Sequence, residues 1–288
     1  MNATGNTTGN TNDEQATLWN GQNGRAWVEA QALLDQMFKP IEELLAASVP
    51  ATAAATVLDV GCGTGSTTLA AARRLGPTGR CVGIDISEPM IAAARKRAER
   101  DGVAAGFIRA DAQTHDFEPA SFDMIISRFG VMFFDDPVRA FANLRRAAKE
   151  NGRLQLVVWR SAAENPFMTT AERAAAPLLP DIPARQPDAP GQFAFADRER
   201  VTRILQAGGW SDIDLKPIDA ACTFPERELV GHLSRLGPLG RILGNVDPHT
   251  RAQVIQTVRA AFDPFVRGTE VHFTAACWMV AARAPSNP

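Results

Sequence analysis

The sequence predicts an α/β domain in which a mostly parallel sheet carries helices on both faces. Hydrophobic residues make up 45% of the 288 positions, which is enough for a substantial core. From Thr56 onward, short apolar runs alternate with alanine-rich helical stretches, which is the pattern of βαβ units. Continuous apolar strands are typical of parallel sheets that are buried on both faces. A doubly wound fold is therefore expected.

Seven strands and four intervening helices follow from this alternation. The strands are predicted at residues 57–60, 81–86, 106–109, 122–127, 152–159, 213–218 and 271–281. The helices are predicted at residues 67–75, 88–100, 137–149 and 197–207. No internal repeat is apparent, and one elaborated domain over residues 17–288 fits this order better than two domains.

Four segments flank or interrupt the alternating pattern. Residues 1–16 are rich in Asn, Thr and Gly and are predicted to be a disordered tail, whereas residues 17–50 are predicted to form a helical cap of two short helices interrupted at Pro40. Residues 161–196 are proline-rich and predicted to be a long surface excursion, and residues 225–265 a helical insertion before the last strand. Both are expected to act as lids on the substrate side.

Composition excludes several classes of protein. The 30 basic and 32 acidic residues give a net charge of −2 without long runs of one sign, so a nucleic-acid partner is not expected. We find no signal peptide and no apolar run long enough for a membrane anchor, so the protein is predicted to be cytoplasmic. The four cysteines have no metal-ligand spacing, so no metal is expected and the thiols are predicted to be reduced and buried.

Candidate acid–base residues are few. The sequence contains no tyrosine, which excludes mechanisms that use a tyrosine base or acid. The histidines, the obvious candidates for a general base, are His115, His232, His249 and His272. His232 attracts most interest because it lies in the helical insertion, although a solvent-exposed helix position is the simpler interpretation. No catalytic residue is assigned.

The strongest motif is V-L-D-V-G-C-G-T-G at residues 57–65, placed between a strand and a helix. Gly61, Gly63 and Gly65 permit a tight turn and a close backbone approach, and the following helix N-terminus offers unpaired N–H groups. Asp85 follows twenty residues after Gly65 at the end of the second strand, where a carboxylate accepts hydrogen bonds from both ribose hydroxyls. These features predict a nucleoside site.

The glycine spacing separates two classes of cofactor. A dinucleotide fingerprint has the form G-x-G-x-x-G/A, but Ser66 occupies its sixth position here, which disfavours a nicotinamide-dependent oxidoreductase. The pattern is G-x-G-x-G, which resembles motif I of the class I S-adenosylmethionine-dependent methyltransferases. The resemblance continues in matching order over residues 57–159. It implies a Rossmann-like fold and S-adenosylmethionine as cofactor, but it gives little information on the identity of the methyl acceptor.

By this resemblance, the three glycines pass beneath the methionyl and ribose parts of the cofactor. Asp85 holds the ribose, and Asp59 supports the loop and the amino-acid end. A purely structural role, in which Asp59 pins loop amides without touching the ligand, is the alternative for that carboxylate.

The resemblance also places the adenine. Ile86 and Met90 lie where the family packs apolar side chains on the base. In R-A-D-A-Q at residues 109–113, Asp111 would accept a hydrogen bond from the adenine amino group, and Ala112 would donate one from its backbone. Asp111 is alternatively a helix N-cap.

Two further segments resemble ubiquinone/menaquinone-type C-methyltransferases. S-R-F-G-V-M-F-F at residues 127–134 implies that Ser127, Arg128 and Phe129 border the reactive methyl group. The alternative for Arg128 is a surface cation paired with Asp135 or Asp136.

W-N-G-Q-N-G-R-A-W at residues 19–27 is similar to a segment that closes over the cofactor in that wider group. It places Trp27 and Gln31 near the site. A helix face packed on the sheet is the alternative for Trp27.

These observations predict methyl transfer from S-adenosylmethionine to a small-molecule acceptor, apolar or lipid-like, by in-line displacement that releases S-adenosylhomocysteine. A non-catalytic module that binds an adenosyl ligand remains an alternative, because a fold and a cofactor site do not guarantee turnover. The acceptor atom and the oligomeric state are not legible in the sequence.

Overall fold

The computed structural model describes residues 11–51, 54–179, 182, 185–186 and 189–286. Its strands are β1 (Thr56–Val60), β2 (Arg80–Asp85), β3 (Gly106–Arg109), β4 (Phe122–Arg128), β5 (Ala148–Trp159), β6 (Ser211–Pro225), β7 (Val266–Arg267) and β8 (Glu270–Arg283). They form one sheet in the order β3-β2-β1-β4-β5-β8-β6, and the two-residue β7 pairs with β8 outside this path. The predicted Rossmann-like α/β fold is confirmed, with β7 added to the seven predicted strands.

Helices surround this sheet. In the described part of the chain they are α1 (Thr11–Asn20), α2 (Gln22–Glu29), α3 (Gln31–Met37), α4 (Lys39–Ser48), α5 (Ser66–Leu75), α6 (Glu88–Asp101), α7 (Pro137–Ala147), α8 (Pro166–Ala175), α9 (Arg198–Ala207), α10 (Leu229–Arg235), α11 (Gly237–Leu243) and α12 (Pro248–Ala261). The helix α7 has an apolar stripe formed by Ala140, Phe141, Leu144 and Ala147, all of which are buried. Stripes of this kind hold the helices on the sheet.

The strand order creates a crevice at one edge of the sheet. Strands β1 to β5 pair in parallel, so their carboxyl ends meet at the same edge. The order reverses between β1 and β4, because the chain leaves β1 toward β2 and β3 and then returns to β4. Ligands of open α/β sheets bind outside the carboxyl ends of the strands at such a reversal.

The N-terminal segment differs from its prediction. Residues 11–16, predicted to belong to the disordered tail, form part of α1, while residues 1–10 lie outside the described residues. The two predicted helices are four, α1 to α4. Pro40 does not interrupt a helix but lies in the first turn of α4. Backbone N–H groups in that turn have no acceptor within the helix, so a proline there loses no intrahelical hydrogen bond.

The last two long strands extend well beyond their predicted limits. β6 and β8 pair antiparallel from Ser211↔Arg283 to Pro225↔Glu270. Pro217 and Pro225 are accommodated in β6 because this strand is at the edge of the sheet, where a proline without an N–H is tolerated.

The two predicted insertions pack on each other. The excursion at 161–196 contains α8, and the predicted helical insertion at 225–265 is confirmed as α10 to α12. Phe167 of α8 stacks on Phe273 of β8 with ring centroids 4.0 Å apart, and Phe262 meets it edge-on at 5.1 Å. These rings form the centre of an aromatic cluster between the two segments.

Candidate active site

A cavity opens at the carboxyl ends of β1, β2 and β4. Most of the predicted site residues line it: Trp27, Gly61, Gly63, Asp85, Ile86, Met90, Asp111, Ala112, Arg128 and Phe129. The exceptions are Asp59, Gly65 and Ser127. None of the described residues within 161–196 and 225–265 contributes to this wall, so the predicted role of these segments as substrate-side lids stays a prediction.

Two loops meet backbone to backbone in the wall of this cavity. Gly61 has φ +66°, and a Cβ placed there would lie 2.5 Å from Gly130 Cα. A Cβ at Gly130 would lie 2.5 Å from the carbonyl oxygen of Val60. Only glycine at both positions therefore allows the loop after β1 to touch the loop after β4.

The third glycine of the motif packs behind the loop and does not line the cavity. Gly65 caps α5 with φ +85°, and its missing side chain makes room for Ala94 of α6 and Phe107 of β3, which lie 3.0 and 3.1 Å from an ideal Cβ. It lets helix and strand pack closely behind the loop. Gly65 does not line the cavity, so its predicted place beneath the cofactor stays a prediction.

Asp85 holds the glycine loop in place. Its Oδ2 accepts a hydrogen bond from the Gly63 amide at 2.8 Å, and its Oδ1 accepts one from the Ser87 amide at 2.9 Å. Burial raises the pKa of Asp85, and the bonds from Ser87 and Gly63 oppose that rise. Each carboxylate oxygen retains a second lone pair, so the same side chain is available to ligand hydroxyls in the cavity.

Asp59 and Ser127 join structural elements away from the cavity wall. Asp59 Oδ2 accepts a hydrogen bond from Thr68 Oγ1 of α5 at 2.6 Å, and Ser127 Oγ donates to the Val60 carbonyl at 2.7 Å. Both side chains are buried. The bond from Thr68 fits the structural alternative for Asp59, but its buried Oδ1 has no hydrogen-bond partner in the described part of the chain, so the predicted contact with the amino-acid end stays a prediction. Ser127 does not line the cavity, and its place beside the methyl group also stays a prediction.

The buried Asp59 predicts a pH-dependent stability. Burial raises its pKa to about 7, whereas in the unfolded chain the group ionises near its ordinary pKa of about 4. The folded protein therefore binds more protons in this window. Stability that is fully present below about pH 4 is lost as the pH rises through about 7.

We expect Asp59→Asn to flatten this decline by an amount of the order of a few kcal/mol, since one pKa unit corresponds to about 1.4 kcal/mol. Urea unfolding of both proteins at about pH 5 and about pH 8 provides the measurement. Two parallel stability profiles would show that Asp59 is ionised in the folded state.

The loop after β3 forms the end of the cavity assigned to adenine. Asp111 Oδ1 accepts a hydrogen bond from the Gln113 amide at 3.0 Å, so this carboxylate also closes its own turn. Asn143 Nδ2 donates to the Ala112 carbonyl at 3.0 Å and anchors that turn to α7. Ile86 and Met90 supply apolar wall to the same cavity.

Arg128 ends β4 and contributes the guanidinium on the cavity wall. Its Nη1 is buried and has no hydrogen-bond partner in the described part of the chain. The predicted alternative, a surface pair with Asp135 or Asp136, is wrong, because Asp136 instead caps α7 by accepting from the Arg139 amide. Burial lowers the pKa of Arg128, and the charges of Glu42, Asp35 and Asp59 raise it.

Phe129 adopts a strained backbone conformation beside Arg128. Its φ of +66° is a left-handed value that costs a side-chain-bearing residue about 1–2 kcal/mol. The Phe129 amide donates to the Val157 carbonyl at 2.9 Å, and its ring stacks on Trp159 with centroids 4.7 Å apart. Phe38 contacts both rings edge-on. These contacts hold Phe129 in the cavity wall.

Helices α1 and α2 cover the cavity near Asp85. Asn20 Nδ2 donates to the Ile86 carbonyl at 3.1 Å, and Asn20 Oδ1 accepts from the Glu88 amide at 2.9 Å. Ser87 Oγ donates to the Trp19 carbonyl at 2.7 Å. The N-terminal cap is thus bonded to the residues that directly follow Asp85.

Sequence reasoning did not assign several wall residues: Gln15, Trp19, Leu34, Asp35, Phe38, Thr64, Thr67, Gln113, Phe133 and Phe134. Trp19 was within the quoted segment, and its ring lies 5.2 Å from that of Phe133 and 5.8 Å from that of Trp27. Gln31 does not line the cavity itself but donates to Asp35 Oδ2 at 2.8 Å. The sequence offered one signal for Asp35: its carboxylate lies next to Leu34 and near Phe38, two residues of the apolar stripe of the cap helices.

The histidines do not reach the cavity in the described part of the chain. The expectation of a solvent-exposed His232 is wrong. Its ring lies 5.7 Å from Phe224 and 6.4 Å from Phe167, and its buried Nδ1 has no hydrogen-bond partner. Burial lowers the pKa of His232 to about 4, so the ring is neutral at physiological pH.

Comparison with known proteins supports the family that the sequence predicted. Residues 57–152 match the family model described as "Methyltransferase domain", and this range contains the glycine loop, Asp85, Asp111 and Arg128. The match supports a class I S-adenosylmethionine-dependent methyltransferase with S-adenosylmethionine as its cofactor.

Two curated relatives show where the similarity of this methyltransferase lies. Nocamycin O-methyltransferase of Saccharothrix syringae is 34% identical over 122 residues, which cover 42% of this chain and 44% of the relative. The ubiquinone/menaquinone biosynthesis C-methyltransferase UbiE of Klebsiella pneumoniae is 26% identical over 169 residues, covering 55% and 67%. The first match therefore spans less than half of the relative's length, and the second about two thirds.

A solved structure extends the comparison to nearly the whole fold. Phosphoethanolamine N-methyltransferase 2 of Haemonchus contortus, in complex with S-adenosyl-L-methionine, superposes with a TM-score of 0.57 at 18% identity. The superposition covers 94% of this methyltransferase and 59% of that chain. At this identity the likeness concerns the fold alone.

Membrane-spanning helices were also sought in the described part of the chain. None of its helices combines the length and the apolar character that a membrane span requires.

Proposed function

We propose that this chain transfers the methyl group of S-adenosylmethionine to a small, largely apolar acceptor. One observation carries the proposal: a single cavity combines the glycine loop and Asp85 with an aromatic wall. S-adenosylmethionine supplies an activated methyl group on a sulfonium, from which an acceptor nucleophile displaces it in line and releases S-adenosylhomocysteine.

The wall residues fit an extended adenosyl amino acid. Along the sheet order β3-β2-β1-β4, the carboxyl ends bring Asp111, Asp85, the glycine loop and Arg128 into one row. Three strand spacings of about 4.8 Å give this row a length of about 14 Å, comparable to such a ligand. Asp111 and Ile86 would meet the adenine, Asp85 the ribose, and the backbone at Gly61 the methionyl part.

The aromatic wall supports an apolar acceptor. Trp19, Trp27, Phe38, Phe129 and Phe133 line the cavity, and aromatic walls of this kind are typical of sites for apolar ligands. The names of the two curated relatives describe methylation of small molecules, which agrees with an acceptor of that size. Rate enhancement would come mainly from holding acceptor and methyl group within reacting distance. A cytoplasmic location stays a prediction from composition.

The cofactor choice predicts a selective thermal shift. S-adenosylmethionine and S-adenosylhomocysteine, each at a hundred times its Kd, are expected to raise the melting temperature by about 5 °C, because ligand linkage then contributes about 2.7 kcal/mol. NAD and NADP are expected to leave it unchanged, because Ser66 interrupts the dinucleotide spacing. Equal stabilisation by a dinucleotide would overturn the cofactor assignment.

Turnover separates an enzyme from a binding module. Incubation with methyl-labelled S-adenosylmethionine and a metabolite extract is expected to yield a labelled small molecule and S-adenosylhomocysteine. Thermal stabilisation by the cofactor, without label transfer from any extract, would instead favour a non-catalytic adenosyl-binding module.

A further inference from the structure

The loop that follows β4 contributes two aromatic rings to the cavity wall but is weakly held by its own hydrogen bonds. Phe133 and Phe134 of this loop line the cavity. The Phe133 amide lies 3.3 Å from the Gly130 carbonyl oxygen, and the Phe134 amide lies 3.5 Å from the carbonyl oxygen of Val131. Both distances exceed the usual range of an N–H···O bond. The position of the two rings therefore depends on contacts from outside the loop.

The end of the proline-rich excursion supports this loop from the side remote from the cavity. The Gly191 amide donates to the Met132 carbonyl at 3.0 Å. The ring of Phe195 lies 6.0 Å from that of Phe141 on α7, which in turn lies 6.0 Å from the ring of Phe134. Phe141 and Phe195 are both buried, and neither they nor Gly191 line the cavity. They contact the wall residues from behind.

The supporting segment, residues 191–196, is itself anchored to the rest of the domain. Trp278 Nε1 of β8 donates to the Ala196 carbonyl at 2.9 Å. Arg200 Nη1 of α9 donates to the Ala194 carbonyl at 3.1 Å. Because close-packed protein interiors are stiff, a segment fixed to a strand and a helix can hold the loop in one position.

The supported loop borders the adenosyl side of the cavity. The Phe133 ring meets Trp19 of the cap edge-on, with centroids 5.2 Å apart. The Asp136 amide, just beyond the loop, donates at 2.9 Å to Oε1 of Gln113, which follows the turn assigned to adenine. A displacement of the loop would therefore change the shape of the wall that receives the adenosyl group.

We propose that Gly191 and Phe195 are positioning residues for the cofactor site. They hold Phe133 and Phe134 in the wall around the adenosyl group without touching the cofactor. The inference rests on the proposed function, which places adenine at the end of the cavity lined by Asp111. Residues of the excursion thus act on cofactor affinity through the loop after β4.

Two substitutions of Gly191 isolate the backbone hydrogen bond. Gly191→Pro removes the N–H donor, whereas Gly191→Ala keeps it; the backbone there is not left-handed, and the nearest neighbour of an added Cβ is the Ala189 carbonyl oxygen at 3.9 Å. In Gly191→Pro without ligand, we expect the amides of Phe133 and Phe134 to exchange hydrogen about ten-fold faster.

Calorimetric titration measures the consequence for the cofactor. S-adenosylhomocysteine and 5′-deoxy-5′-methylthioadenosine share the adenosyl group, but only the first has an amino-acid end. Both should bind Gly191→Pro about ten-fold more weakly, because the altered wall faces the part that they share. For Gly191→Ala, both affinities and the exchange of the loop amides should stay within about two-fold of the wild type.

Phe195→Leu tests the ring contact while keeping most of the apolar volume. We expect it to weaken S-adenosylhomocysteine binding by about three-fold to ten-fold, the range that corresponds to the loss of one aromatic pair. Phe262→Leu is the matched control, because Phe262 is equally buried but belongs to the aromatic cluster around Phe167. Its affinity should stay within about two-fold of the wild type. Urea unfolding establishes that both variants are folded.

The outcomes separate this inference from the proposed function. If the wild type binds neither ligand, the proposed cofactor site itself fails. If the wild type binds both and Gly191→Pro binds them equally well, the positioning role is overturned while the proposed function stands. Equal losses of affinity in Gly191→Pro and Gly191→Ala would also overturn it, since the amide would then not be the cause. Should Gly191→Pro fail to fold, Phe195→Leu decides, and an affinity equal to that of Phe262→Leu overturns the role.

Discussion

Gly61→Ala is expected to lower the free energy of unfolding by about 2 to 5 kcal/mol and to weaken S-adenosylhomocysteine binding. Two costs add. The left-handed φ of +66° costs alanine about 1–2 kcal/mol, and the new Cβ at 2.5 Å from Gly130 Cα forces two backbones apart at about 1–3 kcal/mol. Because both glycines line the cavity, the displacement alters the ligand site directly.

Gly102→Ala is the matched control for this substitution. Gly102, which ends α6, also has a left-handed φ, of +63°, but an added Cβ there meets nothing within 4 Å. It should cost only about 1–2 kcal/mol and leave ligand affinity unchanged. Urea unfolding and calorimetric titration of both variants provide the comparison. Equal losses of stability would show that the loop after β4 yields to the extra methyl group, and that the glycine contact is not required.

Asp85→Ala is expected to weaken S-adenosylhomocysteine binding by about a hundred-fold or more. A carboxylate that accepts from both ribose hydroxyls contributes about 1.5–3 kcal/mol per bond. The structure adds a second effect, because the Gly63 and Ser87 amides lose their acceptor. Folding stability should therefore fall by about 1–3 kcal/mol, the usual cost of buried donors left unpaired.

Asp123→Ala separates the two effects of Asp85. Asp123 also accepts from a backbone amide, that of Thr56 at 2.8 Å, but it does not line the cavity. It should lose stability while keeping its affinity for S-adenosylhomocysteine. If titration of a folded Asp85→Ala protein gave the wild-type affinity, Asp85 would be a purely structural residue and the ribose assignment would fail.

Local sequence patterns were sufficient to bring the glycine loop and Asp85 to one cavity. Gly61, Gly63 and Asp85 lie within one βαβ unit, whose strand and helix periods are visible over short windows, so their common location follows from the topology of that unit. The same patterns predicted Gly65 beneath the cofactor, but Gly65 does not line the cavity. The spacing of a glycine indicates that a side chain is not tolerated, but it does not show whether a ligand or, as here, Ala94 and Phe107 occupy the space.

Side chains at strand ends were harder to assign. Ser127 and Arg128 are consecutive, and consecutive side chains of a strand point to opposite sides. Ser127 therefore bonds to Val60 inside the sheet while Arg128 lines the cavity. His232 shows the same limit in a helix, because its burial depends on Phe167 of α8, a residue distant in the sequence.

The sequence by itself determined the doubly wound sheet, the G-x-G-x-G loop after β1 and the carboxylate at the end of β2, because each depends on interactions between residues that are close in the chain. Only the tertiary structure decided that Asp35 of the cap faces the cavity with Arg128, and that Asp59 remains behind the loop. Those positions depend on how amphipathic helices pack on the completed sheet. Burial and charge pairing between distant segments arise in that packing and have no local periodicity.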